Sequence, residues 1–412
     1  MSEIALVARR EPFGYLLMNL ASEQLYAIRT KEILDFSNPD EFEFASPTGE
    51  TVSPSKIHVR HTSPIREDIL CAPVVVEFYP TTACNEKCHF CYVENWLNTD
   101  RFQFPRDQIV PFVSKLVRSG VFRLTVLGGE PFLYKHLPLV IDAASENSMV
   151  VSLSTNGTID RPEVWERAAT LAVHLNISFH SHLPEVEDLI VGKSGAFQSA
   201  IRSIKFLSQR NYAPHVSIVM TRENVGEIED TVQFLFDLGV TNISLLHTQG
   251  TGGARLSPER CVDFASYRAA CARATRRADA LDMTIAATTN FPFLLYDGLT
   301  FNTDNGLAKF MYGHPDGRWI IYVLNDGRIV GNLYQDLRSP DVVGNILRDD
   351  LPEIWAASPV LNEIRNRKPK QSCVVCKHIE YCKGGPIGNL STVDNDLSVP
   401  SCPLFDPTLA TE

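Results

Sequence analysis

Cys84-Asn-Glu-Lys-Cys88-His-Phe-Cys91-Tyr92 decides how the rest of the chain is read. Three cysteines at the spacing C-x3-C-x2-C follow directly on the apolar run Val74 to Tyr79. Three thiolates this close on one loop can hold three irons of a [4Fe–4S] cube. No fourth cysteine is local, so one iron is left open to another ligand, and an open iron is a chemical site rather than a structural clip. Structural zinc is the alternative. Zinc modules usually pair a C-x2-C with a second pair nearby, and residues 92–260 hold no further cysteine.

Composition narrows the setting. A chain of 412 residues is long enough for two or three domains and a sizeable core. The balance is acidic, 38 Lys plus Arg against 49 Asp plus Glu, formally −11. Non-specific nucleic-acid binding needs a basic face, so no nucleic-acid partner is expected. Met1-Ser-Glu-Ile opens without a charged n-region or apolar h-region, which argues against a signal peptide. No apolar run approaches a membrane span, and no membrane partner is expected. Five of the ten cysteines fall in C-x2-C and C-x3-C groups, which read as metal ligands rather than disulfides. The expectation is a soluble, cytoplasmic protein.

From 74 to about 250 strands alternate with helices. Strands are expected at Val74–Tyr79, Arg123–Leu127, Val150–Ser154, Ala172–Phe179, His215–Met220 and Asn242–His247. Helices are expected near 107–119, 137–146, 162–171, 196–210 and 226–238, where residues such as Ile201, Ile204 and Leu207 recur at helical spacing. Six βα units in order imply a parallel sheet with right-handed crossovers. In barrels of this kind the active site lies on loops at the C-terminal ends of the strands, where the cysteine loop falls. The second strand ends in Gly128-Gly129-Glu130-Pro131, whose glycines would let backbone groups approach a ligand. The third ends in Thr155-Asn156-Gly157, the fourth in Ser178-Phe179-His180-Ser181, the fifth in Thr221-Arg222-Glu223-Asn224. Gln249 to Ala254 is Gly-rich but does not continue into a phosphate-loop Lys. It reads as a flexible wall of the site mouth. A helix over 257–282 would carry Cys261 and Cys271 as packed thiols.

Together the cysteine loop and these turns resemble the radical S-adenosylmethionine (radical SAM) superfamily. The resemblance implies an α/β fold, a partial (β/α)6 TIM-like barrel over 74–255, in which the fourth iron binds SAM. It implies that Gly128, Gly129, Glu130 and Pro131 hold the SAM amino group, and that Phe90 lies beside the adenine, with Tyr92 next to it. Thr155 and Asn156 match the family's T-N-G turn, and Thr221 and Asn224 its fifth-strand turn, where Asn224 would brace the loop and cap the next helix. Ser178 is the serine expected near the ribose. His180 stands in place of the usual acid and is a candidate catalytic group, and Lys193 stands in for an absent arginine.

Two flanking blocks complete the chain. In residues 1–70, two strands joined by Ala21-Ser22-Glu23-Gln24 form a hairpin over Tyr15–Ile28 with the turn free, and Lys31–Phe36 suits a short helix. Its position is similar to the leader-peptide module of peptide-modifying relatives, which pair an edge strand with their substrate; a plain decoration is the alternative. A connecting helical region takes 256–310. In 311–412, Asn325-Asp326-Gly327 marks a hairpin, one helix follows from Leu351 to Arg365, and Cys373, Cys376, Cys382 and Cys402 come last. This order resembles the twitch/SPASM extension. Gly331, Asn332 and Pro386 occupy places where a full SPASM domain has cysteines, so the resemblance implies one auxiliary [4Fe–4S] cluster and a second lost. Zinc is the alternative for these four.

The chemistry implied is reductive cleavage of SAM to a 5′-deoxyadenosyl radical, which abstracts hydrogen from a substrate. The auxiliary cluster would take up the electron left behind, which favours crosslinking or dehydrogenation. The expected partners are a ribosomally made precursor peptide and a reductant such as flavodoxin or ferredoxin. The alternatives are a mutase or dehydrogenase acting on a small molecule in cofactor or sugar-derived biosynthesis, and an iron–sulfur regulator that binds DNA.

Overall fold

The computed structural model describes residues 5–38, 44–45, 51–52, 56–60, 62, 66–248, 251–288, 314–333, 335–367, 374–376 and 379–383. One ten-stranded sheet organises it. Its parallel strands are β7 (Val75–Phe78), β8 (Arg123–Val126), β9 (Val150–Thr155), β10 (His174–Ser178), β11 (His215–Met220), β12 (Asn242–His247) and β13 (Thr284–Thr288). Beyond β7 the sheet continues through β14 (Ile320–Val323), also parallel to β7, and then through antiparallel β15 (Arg328–Val330) and β16 (Val342–Asn345). Among the described residues it is open, with β13 and β16 at its ends.

Alternation along each strand explains the layers. Val76 and Phe78 point out into a large core with α1 (Ile109–Arg118), while Val75 and Glu77 face the inner side. Helices α2 (Leu137–Glu146), α3 (Pro162–Thr170), α5 (Ala196–Ser208) and α6 (Ile228–Asp237) cover the same outer face with their apolar stripes. The inner faces of β9 to β12 are polar, with Ser154, Asn176 and Ser217 joined across three strands.

Several expectations change. A helix absent from the sequence reading, α4 (Pro184–Val191), precedes Gly192, whose φ of 63° ends it in a left-handed cap. The region expected to be a helical connection adds β13, paired in parallel with β12, so the barrel sheet runs past residue 255. The helix expected from 257 begins at Phe264 as α8 (Phe264–Asp279), because Asp263 caps it by accepting from the Ser266 N–H. Cys261 therefore lies before the helix, in a bridge with Thr221. The single helix over 351–365 is two, Leu351–Ala357 and Pro359–Arg365, because Pro359 cannot continue the first and Ser358 caps the second. The Asn-Asp-Gly turn forms between β14 and β15 with Gly327 at φ 82°.

The N-terminal block is a four-stranded sheet. β1 (Ala5–Glu11) pairs with β2 (Gly14–Asn19), β2 with β3 (Leu25–Arg29), and β1 in parallel with β6 (Lys56–Arg60). Two two-residue strands, β4 (Phe44–Ala45) and β5 (Thr51–Val52), pair separately. Residues 31–36 are not helical: the Leu34 N–H donates to the Tyr15 hydroxyl and Phe36 packs edge-on against the Tyr15 ring, which staples an extended segment to the hairpin. The hairpin turn is not free either. Glu23, at φ 58°, pairs with Arg123 at the start of β8, and His174 at the start of β10 lies 4.0 Å from the same carboxylate. The inner face of the block (Val7, Leu16, Met18) shares a core with Leu70, Val74, Phe122 and Val150, at the N-terminal ends of the barrel strands. Fully buried Arg9 bonds Glu11, the Pro73 carbonyl (3.0 Å) and the Gly120 carbonyl (2.9 Å). The block thus closes the floor of the barrel, opposite the cysteine loop. Among the described residues no helix is long and apolar enough to cross a membrane.

Candidate active site

The cysteine loop leaves β7 and is gripped along its whole length. At its start the Cys84 N–H donates to Asn98 Oδ1 (3.1 Å), and Asn98 Nδ2 returns a bond to the Cys84 carbonyl. In the middle the Lys87 N–H donates to the Val191 carbonyl (2.9 Å) at the end of α4. Toward its end His89 reaches the Ile190 carbonyl through its N–H and through Nδ1 (3.1 Å). The Tyr92 hydroxyl lies 2.9 Å from that of Tyr79, which donates to Glu77 Oε2 (2.9 Å) on the inner face of β7. Tyr92 is thus fixed to the strand that launches the loop.

All three cysteines are partly buried. Burial is the main cause that raises each thiol, Cys84 to about 12 and Cys91 to about 11, and the neighbouring thiols push Cys84 and Cys88 further up. Among the described residues no three His, Cys, Asp or Glu side chains converge as a single ion would require. Three soft thiols within residues 84–91 of one loop fit a cube, which holds each thiolate on a different iron. Cys84, Cys88 and Cys91 are the residues that would hold it, and its charge would deprotonate them.

Glu130 is the hub beside this loop. Its Oε1 accepts from Thr155 Oγ1 (2.7 Å) and the Phe132 N–H (2.9 Å), and its Oε2 from the Asn156 N–H (2.8 Å). Burial raises its carboxyl to about 7 against these bonds, so an arriving ammonium group would find a carboxylate ready to ionise. The two glycines before it serve the loop. The Gly129 N–H donates to the Thr81 carbonyl (3.0 Å) and the Glu130 N–H to that of Ala83 (2.7 Å). A Cβ on Gly129 would overlap Ala83 and lie 2.7 Å from the Thr82 carbonyl, and Gly128 has φ 134°. The close approach made by Gly128 and Gly129 is therefore to residues 81–83. Pro131 opens the turn after Glu130.

The T-N-G turn is tied to the same centre. Asn156 Nδ2 donates to Asn85 Oδ1 (2.9 Å), and Asn85 Nδ2 to Thr158 Oγ1 (2.8 Å). Lys193 Nζ donates to Thr158 Oγ1 (3.0 Å), and its charge lowers the carboxyls of Glu130 and of buried Glu86, which desolvation raises to about 7. Lys193 therefore reaches the polar groups around Glu130. Asn85, Glu86 and Thr158 were missed by the sequence reading. The position of Asn85 and Glu86 between Cys84 and Cys88 was the available signal.

His180 is built in rather than presented. Its Nδ1 accepts from the Val219 N–H (3.2 Å), its carbonyl accepts from Asn224 Nδ2 (3.0 Å), and its N–H donates to Glu187 (2.6 Å). Burial lowers it to about 3, so the imidazole is neutral with its proton on Nε2. With Nδ1 taken by the Val219 N–H, the ring has no lone pair free for a general base. Phe90 packs edge-on against it at 5.0 Å and joins Ile190 and Val191. Asn224 braces as expected: its Oδ1 accepts from the Thr221 N–H (2.8 Å) while Nδ2 ties β10 to β11. Its side chain makes no cap bond to the helix that follows. Ser178 sits half-buried at the inner end of β10, beside Ser217. The Gly-rich stretch is no loose wall over residues 251–254, where α7 (Gly252–Leu256) packs directly on Cys91 and Tyr92; Gln249 and Gly250 lie outside the described residues. In the C-terminal set Cys376 and Cys382 are described, and Cys373 and Cys402 lie outside the described residues.

An open parallel α/β sheet that delivers three cysteines from its first strand, beside a buried Gly-Gly-Glu turn from its second, defines a partial barrel built to hold an iron–sulfur cube. Residues 78–235 match the radical SAM superfamily model. The chain is 27% identical over 333 residues to the mycofactocin maturase of Mycolicibacterium smegmatis, across 76% of this chain and 78% of that one. It is 22% identical over 323 residues to the AdoMet-dependent heme synthase of Methanosarcina barkeri, across 76% of this chain and 91% of that one. Its fold matches Streptococcus suis SuiB, solved bound to the precursor peptide SuiA, with a TM-score of 0.75 at 18% identity over 94% of this chain and 96% of that one.

Proposed function

We propose that this protein is a peptide-modifying radical SAM enzyme that acts on a ribosomally made precursor in natural-product maturation. When bound, the cube and SAM supply a 5′-deoxyadenosyl radical that takes a hydrogen atom from the substrate. The chain's own part is to hold and shield. Cys84, Cys88 and Cys91 hold the cube, and Glu130 takes the SAM ammonium with Thr155 and Asn156 keeping its carboxylate oriented. Lys193, Asn85 and Thr158 support that end of the site. Ser178 serves the ribose side, and His180 and Asn224 keep the ends of β10 and β11 in place. Cys373, Cys376, Cys382 and Cys402 would hold an auxiliary [4Fe–4S] cluster in a twitch/SPASM-like domain over 311–412, which would supply an acceptor for the electron left on the substrate. The product is a crosslink or another oxidised side chain. A flavodoxin or ferredoxin is the reductant.

The observation that carries the peptide reading is the N-terminal sheet. Its order is β3-β2-β1-β6, so β3 stands at an end with no further described strand paired to it. An open edge strand is a template for adding an extended peptide. Thr30 donates to the Phe13 carbonyl and Gln24 accepts from the Asn19 N–H, so by alternation the N–H groups of Leu25, Ala27 and Arg29 point outward. Residues 1–70 are accordingly a leader-peptide module fused to the barrel floor. A protein solved with a precursor peptide shares the fold over nearly the whole chain, which supports this reading.

The test is co-expression with short peptides encoded beside the gene, read by mass shift. Ala27→Pro removes one outward N–H and should weaken binding of a fluorescent leader peptide while SAM cleavage without peptide continues. Equal binding by the variant would remove β3 as the docking edge. The resemblance to a heme synthase favours a second reading, a small-molecule oxidation. A mass change on a tetrapyrrole, with every candidate peptide unmodified, would establish it instead.

A further inference from the structure

We infer that the Gly252–Gly253 peptide is a clamp that positions Cys91, so that the loop after β12 belongs to the machinery that holds the cluster rather than to the substrate mouth. The inference rests on the reading that Cys84, Cys88 and Cys91 hold a cube. The Gly253 N–H donates to the Cys91 carbonyl at 2.8 Å. Gly252 has φ 51°, and a Cβ there would overlap the Cys91 carbonyl and lie 2.7 Å from Tyr92 Cα. A Cβ on Gly253 would lie 2.6 Å from the His89 carbonyl and 3.3 Å from the Cys91 N. Both residues are thus in backbone-to-backbone contact with the last turn of the cysteine loop, at distances no side chain would allow. The contact is itself anchored. Thr248 Oγ1 donates to the Met220 carbonyl (2.6 Å) at the end of β11, and the Cys261 thiol reaches the Ala254 carbonyl.

The loop is then held from two sides. The end of α4 takes Lys87, where a Cβ on Gly192 would lie 2.7 Å from the Lys87 carbonyl, and α7 takes Cys91. Cys88 lies between these two grips. A cube fixes the places of its three sulfurs, and backbone contacts to interlocked neighbours hold such places more firmly than exposed loop residues do. Gly252 and Gly253 are positioning residues, since they act through Cys91.

Two measurements test this. Hydrogen–deuterium exchange on wild-type protein, followed on a peptide covering 251–256, should slow when the cube is installed anaerobically. Gly253→Ala should lose half or more of the iron held by the three-cysteine site and should change the EPR signal of the reduced cluster and its response to SAM. Its far-UV circular dichroism should stay that of the wild type. Gly226→Ala, where a Cβ meets nothing within 4 Å, is the control and should load normally. The clamp is overturned if Gly253→Ala loads fully with an unchanged signal, or if exchange over 251–256 is the same with and without iron. Should Gly253→Ala fail to fold, the exchange result decides. If wild type holds no more iron than the triple Cys84→Ala, Cys88→Ala, Cys91→Ala variant, the cluster reading itself fails, which is a separate outcome.

Discussion

Removing residues 1–60 should unfold the barrel rather than trim a module from it. The deletion strips Val7, Leu16 and Met18 from the core they share with Leu70, Val74, Phe122 and Val150, each of which is 8% exposed or less. Exposing those four side chains costs about 1.5–3 kcal/mol apiece, or about 6–12 kcal/mol together. The deletion also removes Arg9, whose guanidinium satisfies the Pro73 and Gly120 carbonyls. It takes away Arg60 as well, which bonds the Ser148 carbonyl (2.9 Å) at the entry to β9. A domain is stable by about 5–15 kcal/mol in all, so the loss is of the size of the whole stability. The assay is size-exclusion chromatography with far-UV circular dichroism on a 61–412 fragment beside the full chain. The expected result is aggregation, or a broad non-cooperative melt. A monomeric fragment that melts cooperatively within about 5 °C of the parent would refute the reasoning, since in a chain of this length such a shift corresponds to only about 3–4 kcal/mol. The same geometry makes a point substitution on β3 the proper probe of peptide docking.

Three further outcomes are expected. Anaerobic reconstitution should give about eight irons per chain, falling to about four in the triple variant Cys84→Ala, Cys88→Ala, Cys91→Ala; a wild-type protein that holds only zinc would count against two cubes. Glu130→Gln should weaken SAM binding about tenfold, the equivalent of about 1.4 kcal/mol, with iron content unchanged, and unaltered SAM affinity would remove Glu130 from the site. The third concerns pH. Buried Glu187 accepts from the His180 and Ser181 N–H groups, and burial pushes its carboxyl from 4.5 up to about 8. A raised carboxyl makes the folded state bind the extra proton, so its contribution is full below about pH 4.5 and is lost as pH rises through 8. Glu187→Gln keeps an acceptor oxygen and cannot ionise. Its thermal midpoint should therefore fall less than that of wild type between pH 6 and 9, at up to about 1.4 kcal/mol per unit. Parallel curves would show that Glu187 does not titrate there.

Much of the site was legible because its parts are local. C-x3-C-x2-C, Gly-Gly-Glu-Pro and Thr-Asn-Gly are short runs, each at the end of a strand whose apolar period is unmistakable, and β11, β12 and α2 fall where their periodicity puts them. Strand order also follows from sequence, since βα units in series build a parallel sheet. Contacts between distant segments were not legible. Nothing in the run Gln249 to Ala254 says that its glycines are needed to approach Cys91, and nothing in Gly128-Gly129 says that they approach residues 81–83. His180 reads alone as an acid–base candidate; only the packing of β11, α4 and Phe90 around it buries the ring and keeps it neutral.

By itself the sequence determined the class of chemistry, because ligand type and spacing are properties of a single loop, and it determined the order of the parallel strands. Tertiary structure alone decided how the flanking blocks relate to the barrel. The turn at Glu23 looks like a free hairpin tip until Arg123, a hundred residues away, is brought beneath it. β14 looks like the start of a separate domain until it pairs with β7 and extends the same sheet. The physical reason is the same in both cases. A charge on a turn and an unpaired strand edge have many chemically equivalent partners along a chain, and only the folded geometry selects one of them.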